Sequence, residues 1–339
     1  MSVKVGFIGA GGIAGAHIDA LSKIPEAQLI AFSDVDIQRA QTQANRFNGK
    51  AYSSYLQMLN DVNLDCVYIC VPPHAHVGQE EELANRHIPF FIEKPISNTL
   101  EHAIDIECAV KKSGIINSVG YHWRYMSHTR QAKERLQSTT IGMVLGYWMG
   151  GMPGVDWWRR IDQSGGQLVE QTTHIVDLAR YFCGEVKEVY AAMATRSLSD
   201  VPNFTVTDVG SISVKFANGA VGSFSNTCLL KGFGYTVGLH IVSPDVVVEI
   251  DGGQYREITA DRTMTLTGGN NPYFEEDRAF IEAVISKDKS GIRSSYTDAL
   301  KTLAVTLAAN QSAKTGGVVD IASLLPDETT LKLNNALRG

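Results

Sequence analysis

The sequence predicts an α/β chain in two parts: a doubly wound parallel sheet, then an α+β region of mostly antiparallel strands. Three observations predict this. Over the first ~120 residues, fully apolar strand-like runs alternate with helical patterns, the signature of parallel strands covered on both faces. Beyond them, strand-like runs follow one another with tight turns between, which indicates antiparallel pairing. The length, 339 residues, exceeds one ordinary core. The expected domains are residues 1–122 and 123–339.

The first element is a β-type run, Val3 to Ile8, in "VKVGFIGAGGIAGAHIDALSKI". It breaks at glycines and resumes with helical spacing at Ile13, His17, Leu21 and Ile24. The pattern Gly9-x-Gly11-x-x-Ala14 suits a dinucleotide loop. One glycine permits the tight turn, the next lets the backbone approach a pyrophosphate, and a small third residue lets helix and strand pack closely. Gly12 and Ile13 open the helix whose N-terminus would face the phosphates. A second strand, "AQLIAFSD", ends at Asp34, roughly 20 residues past the glycines, where a carboxylate accepts from ribose hydroxyls. The same carboxylate would repel a 2′-phosphate, so NAD is expected over NADP. Arg39, on the following helix, is close enough to soften that repulsion.

The alternation continues through helical "SYLQMLND", strand-like "LDCVYICVPP" and helical "HAHVGQEEELANRH". Then come the strand "IPFFIEKP", a helix over 99–113 and the strand "GIINSVG". In such sheets ligands sit at the carboxyl ends of the strands. Pro72, His76, Glu93 and Lys94 therefore fall on the rim that carries the glycine loop. A cis Lys94–Pro95 bond is tolerable chemically and would aim Lys94 inward. After a helix over 127–137 comes "MPGVDWWRRIDQSGG", then "QLVEQTTHIVDLARYFCGE", read as one helix. Such a helix would stack Glu170 and His174 one turn apart. A carboxylate beside an imidazole fixes its tautomer and raises its basicity, as a general base requires. Strand-like runs follow from "EVKEVYAAMATR" to "TMTLTG", with Asn218-Gly219 as a hairpin signal. Helices over 274–286 and 296–314 complete the pass.

Composition narrows the function. A net charge of −6 without a Lys/Arg cluster argues against a nucleic-acid surface. No apolar stretch reaches the length of a membrane span, and the N-terminus lacks the pattern of a signal peptide. A cytoplasmic location is expected. The five cysteines form no C-x-x-C pair, so buried thiols are expected in place of disulfides or zinc ligands, and no metal is foreseen.

"GFIGAGGIAGAH", "VPPHAH", "EKPIS", "GYHWRY", "DWWRR", "GGQLVEQTTHIVDLARYFCGE" and "SAKTGGVVDI" together resemble the glucose–fructose oxidoreductase/inositol dehydrogenase (Gfo/Idh/MocA) family. The resemblance runs in order through nearly the whole chain. It implies a Rossmann domain joined to an α+β domain with a large, mostly antiparallel open sheet. It also implies hydride transfer between NAD(P) and a carbinol of a sugar, cyclitol or related polyol. Homo-oligomers built on the second domain's sheet are implied too, a homodimer or homotetramer. By the resemblance, Lys94 contacts the nicotinamide ribose and the reacting oxygen, and His174 is the general base. Trp158 and Arg159 match a pair that reaches the cofactor, and Tyr273 matches a tyrosine near the nicotinamide. Glu170 stands where many members carry Asp, and His122 where Asn is common. Two other readings remain: an NAD-binding sensor or scaffold without turnover, and a dehydrogenase of a non-sugar cyclic diol.

Overall fold

The computed structural model describes residues 2–325. The chain divides into two compact units.

The first unit comprises residues 2–97, 101–125 and 271–299. Its sheet contains β1 (Val3–Ile8), β2 (Ala27–Ser33), β3 (Lys50–Tyr52), β4 (Cys66–Ile69), β5 (Phe90–Ile92) and β6 (Asn117–Val119). The strands are parallel and ordered β3-β2-β1-β4-β5-β6. This is the dinucleotide-fold order, with the sequence reversing direction at β1, so a crevice opens at the strands' carboxyl ends there. β4 and β5 are buried along their whole length, as their unbroken apolar runs require. Phe7, Tyr68 and Phe91 stack across β1, β4 and β5 with ring centroids 5.2 and 4.8 Å apart. The boundary at 122/123 does not foresee the stretch 271–299. Its helix Pro272–Ser286 joins this unit because Phe280, Ile281, Ala283 and Val284 complete the core over β1 and the helix Gly12–Leu21.

The second unit comprises residues 98–100, 126–270 and 300–325 of the described chain. Its strands are β7 (Met143–Met149), β8 (Val186–Ala194), β9 (Val209–Phe216), β10 (Val221–Thr227), β11 (Thr236–Val242), β12 (Val247–Asp251), β13 (Gln254–Ile258), β14 (Thr263–Thr267) and β15 (Val319–Asp320). They form one nine-stranded sheet ordered β14-β13-β12-β11-β7-β10-β9-β8-β15. All its pairings are antiparallel except β7 with β10. The Asn218-Gly219 hairpin joins β9 to β10, with Gly219 at φ +94°. One face is packed: Gly146 has no side chain because a Cβ there would stand 2.5 Å from Ile175. The opposite face leaves Leu145, Tyr190 and Val221 more than a third exposed. All five cysteines are unpaired, and Cys66 and Cys70 are buried in the first sheet. Among the described residues no helix is long and apolar enough to cross a membrane.

Candidate active site

The rim of the first sheet begins at the glycine loop. Gly9 takes φ +91°, and a Cβ there would lie 2.4 Å from the Cys70 carbonyl oxygen, so both the turn and its neighbour demand glycine. Gly11 and Gly12 are different. Gly11 is extended (φ −79°, ψ −161°) and caps the helix Gly12–Leu21 without a side chain. A Cβ at Gly11, Gly12 or Gly15 would meet no atom of the protein within 4 Å. Nothing in the folded chain requires glycine there. An open cradle at the positive end of a helix is what a pyrophosphate fits. Ala14 is fully buried in the core, which satisfies the third position of the motif.

Asp34 follows β2 directly. Its carboxylate accepts from the Ala10 N–H at 2.8 Å and from the Asp36 N–H at 2.8 Å. It is thereby fixed against the glycine loop. Capping of the next helix falls to Asp36, which accepts from the Gln38 N–H. Arg39 is well exposed, with its Nε 3.4 Å from Asp36. Val35, between the two acids, is almost wholly exposed.

Two rim residues turn inward, against expectation. His76 is 4% exposed, and its Nδ1 lies 2.5 Å from Oε1 of buried Glu80. Glu93 is 3% exposed and is engaged by the protein itself. Its Oε1 meets Nε2 of His17 at 2.9 Å, and its Oε2 accepts the Lys94 N–H at 3.0 Å. Glu93 therefore holds the start of the Lys94–Pro95 turn and does not line an open groove; that peptide bond is cis. The other ring nitrogen of His17 lies 2.8 Å from Oδ1 of Asp277.

Burial alone lowers the His17 pKa, but Asp277 and then Glu93 more than reverse this, holding it well above the ordinary value. Oxygens of Glu93 and Glu276 and a nitrogen of His17 come close enough for a shared metal ion. Both ring nitrogens of His17 are already engaged by carboxylates, however, so a metal there would have to displace its bond to Glu93 or Asp277. Glu276 is fully buried, and neither carboxyl oxygen has a hydrogen-bond partner among the described residues. Burial, opposed by His17 and reinforced by Asp277 and Glu93, pushes its carboxyl well above the usual range.

A pH dependence follows. Above the unfolded carboxyl value of about 4.3, folding must protonate Glu276. Stability then falls as pH rises, by up to ~1.4 kcal/mol per unit, until the raised folded value is passed. His17 acts in the same direction: its contribution is complete below about 6.5 and is lost as pH rises through its raised folded value. The stability of Glu276→Gln relative to the parent is expected to grow between pH 5 and pH 8 in urea unfolding. A pH-independent difference would show that Glu276 ionises freely in the fold.

Lys94, at the end of β5, shares this unit with His122 and Tyr273. The His122 ring stacks on Tyr273 with centroids 4.2 Å apart. Burial, then the charges of Lys94 and His17, lower its pKa to about 3, so His122 is a neutral ring beside a cationic neighbourhood. Pro72 starts the short turn Pro73–Ala75 beyond β4. His17, Asp277 and Glu276 belong to no motif in the sequence; the one signal for them is a histidine at an apolar position of the first helix.

In the second unit, the expected single helix is broken. Gly165 and Gly166 (φ +73° and +89°) lead into the short helix Gln167–Glu170. Gln171 and Thr172 interrupt it, and a new helix runs Thr173–Cys183. The N–H groups of Gln171 and Thr172 both bond the Gln167 carbonyl. Glu170 thus ends one helix while His174 lies in the first turn of the next. Glu170 accepts the Trp158 indole N–H at 2.8 Å, and Trp158 is 1% exposed. His174 is buried and stacks with Trp148, centroids 6.1 Å apart. Asp177 is buried against Thr302, whose hydroxyl donates to it at 2.9 Å, a tie that anchors the helix. Arg159 reaches Asp156 at 3.5 Å.

Comparisons with known proteins agree on one family. The profile described as "Oxidoreductase family, NAD-binding Rossmann fold" matches residues 3–121, and the "GFO/IDH/MocA C-terminal domain" profile matches 129–252. The chain is similar to an uncharacterized oxidoreductase, YrbE, of Bacillus subtilis, 28% identical over 94% of this chain and 96% of that protein. It is also similar to an inositol 2-dehydrogenase of Rubrobacter xylanophilus, 27% identical over 73% and 71% of the two chains. Among solved structures, levoglucosan dehydrogenase in complex with NADH and levoglucosan superposes with a TM-score of 0.83. It is 22% identical and covers 95% of this chain and all of the other, a likeness of fold.

Proposed function

The chain belongs to the GFO/IDH/MocA oxidoreductase family and is an NAD(P)-dependent dehydrogenase; we propose that it oxidises a secondary alcohol of a sugar, cyclitol or related polyol. Lys94 carries the reading. It leaves β5 on the rim that also bears the glycine cradle, from a backbone held by a buried carboxylate. Relatives named for inositol and levoglucosan oxidation support the substrate class.

Gly9, Gly11, Gly12 and Ile13 would hold the pyrophosphate, and Asp34 the adenosine ribose. Lys94, Trp158 and Arg159 would reach toward the nicotinamide half. When bound, the dinucleotide supplies the hydride acceptor. Oxidation also releases a proton, so the site needs a base and a donor for the developing alkoxide. Following the family resemblance, Lys94 would be the donor and His174 the base, with Glu170, which accepts the Trp158 N–H, as an orienting carboxylate. Incubating the purified protein with NAD and a panel of cyclitols and aldoses tests the proposal. Absence of NAD reduction across the panel, with NAD bound, would favour a sensor.

NAD is proposed over NADP because Asp34 is fixed as a carboxylate facing the glycine loop. Fluorescence titration is expected to give at least about tenfold tighter binding of NAD. Equal or tighter NADP binding would overturn this. We also propose a homo-oligomer built on the open face of the nine-stranded sheet, where Leu145, Tyr190 and Val221 are exposed. Sedimentation as a monomer at micromolar concentration would count against it.

A further inference from the structure

We propose that His17 and Asp277 are positioning residues for Lys94, acting through Glu93. The inference rests on the catalytic role proposed for Lys94. The contacts run in series. Asp277, on the helix Pro272–Ser286, meets Nδ1 of His17 at 2.8 Å. His17, on the helix Gly12–Leu21, meets Oε1 of Glu93 at 2.9 Å. Glu93 then holds the Lys94 N–H at 3.0 Å.

Three features separate this from ordinary charge neutralisation. First, both ring nitrogens are used, so the imidazole cannot rotate or flip without losing a bond to a buried carboxylate. Second, the ring is packed on its sides by Phe91, Tyr68 and Tyr273, at centroid distances of 4.8, 5.6 and 5.6 Å. Third, room is reserved for the carboxylate: a Cβ on Gly120 would stand 2.7 Å from Oε1 of Glu93. The groups facing His17 are Asp277, Glu276 and Tyr273 from one helix, Tyr68 from β4, and Glu93 beyond β5. Lys94 and His122 lie in the same electrostatic neighbourhood. Asp277 keeps the ring doubly protonated, and the doubly protonated ring keeps Glu93 in the place that fixes the Lys94 backbone.

Asp277→Asn tests the series. It preserves shape and an acceptor for Nδ1, but removes the charge that favours imidazolium. Turnover is measured on the best of myo-inositol, D-glucose, D-xylose and levoglucosan. The expected kcat is about 10- to 100-fold lower, the cost of a displaced reacting group, with NAD affinity within about twofold. The alkaline limb of the kcat–pH profile should move to lower pH, because His17 then loses its proton earlier. In a Lys94→Ala background the same substitution should lower kcat no further, since it acts only through Lys94. A substrate-free readout accompanies these: acetic anhydride labelling of Lys94, followed by peptide mass spectrometry, should change rate severalfold in Asp277→Asn.

A lower melting temperature with unchanged kcat, pH profile and labelling would make the series purely structural and overturn the inference. So would an undiminished loss in the Lys94→Ala background. Should Asp277→Asn fail to fold, Gly120→Ala displaces the Glu93 carboxylate without altering charge and is expected to give the same kcat loss. Near-normal turnover in Lys94→Ala alone would overturn the catalytic reading and this inference with it. Loss in Lys94→Ala but not in Asp277→Asn or Gly120→Ala overturns this inference only.

Discussion

Lys94→Ala and His174→Ala are each expected to lower kcat for polyol oxidation by about 10²- to 10⁴-fold, the usual contribution of a general acid or base. NAD affinity should change far less, because the glycine loop and Asp34 are the residues proposed to hold most of the dinucleotide. If both act on one proton transfer, as proposed, their losses should not multiply in the double variant. Glu170→Gln should cost less than His174→Ala, since it leaves the base in place. Glu170→Asp is the sharper probe: it shortens the acceptor of the Trp158 N–H and installs the family's commoner residue. Steady-state kinetics with a substrate from the polyol panel check all five variants. Near-normal turnover in Lys94→Ala would remove the mechanism and favour a protein that binds NAD without using it.

The second large effect separates two glycines of one motif. In Gly11→Val the added Cβ meets no other segment of the chain within 4 Å, and the extended backbone accepts any residue. Folding stability should stay within about 1 kcal/mol, while NAD affinity should fall on the order of 100-fold as the branched side chain fills the pyrophosphate cradle. Gly9→Ala should behave in the opposite sense. Its φ of +91° costs an L-residue about 1–2 kcal/mol, and the methyl would press on the Cys70 carbonyl, which cannot move aside as a side chain could. A loss of about 3 kcal/mol is expected. Thermal unfolding and NAD titration of both variants decide the matter. Parent-like NAD binding by Gly11→Val would show that the loop is not the phosphate site.

The elements most legible in the sequence were those whose own residues determine them. Unbroken apolar runs announced β4 and β5, the glycines announced the first turn, and Asn218-Gly219 announced its hairpin. The three-residue β3, Lys50–Tyr52, is too short to show a period in the sequence. The apolar stripe through Glu170 and His174 is continuous, and it predicts a single helix there. The break at Gln171 and Thr172 is a matter of backbone bonds to Gln167 that no periodicity reports. The residues of the Glu93 network were hidden for a different reason. His17 occupies a core position of its helix, and its partner Asp277 lies 260 residues away in sequence. Local pattern cannot pair groups so distant; only the folded topology does.

That distance bears on how the chain comes off the ribosome. The first unit ends its strands by residue 119 but receives Phe280, Ile281 and Val284 only after β7 to β14 of the second sheet have been translated. Until then β1 and the helix Gly12–Leu21 present uncovered apolar surface, and His17 lacks one of its two carboxylates. An emerging chain of this kind is a natural client for a holdase, since exposed apolar surface on partly folded domains is what aggregates. Excising residues 1–125 to obtain a free-standing dinucleotide-binding fragment would reproduce that immature state. A fusion that appends residues 271–299 through a short linker would supply the missing cover.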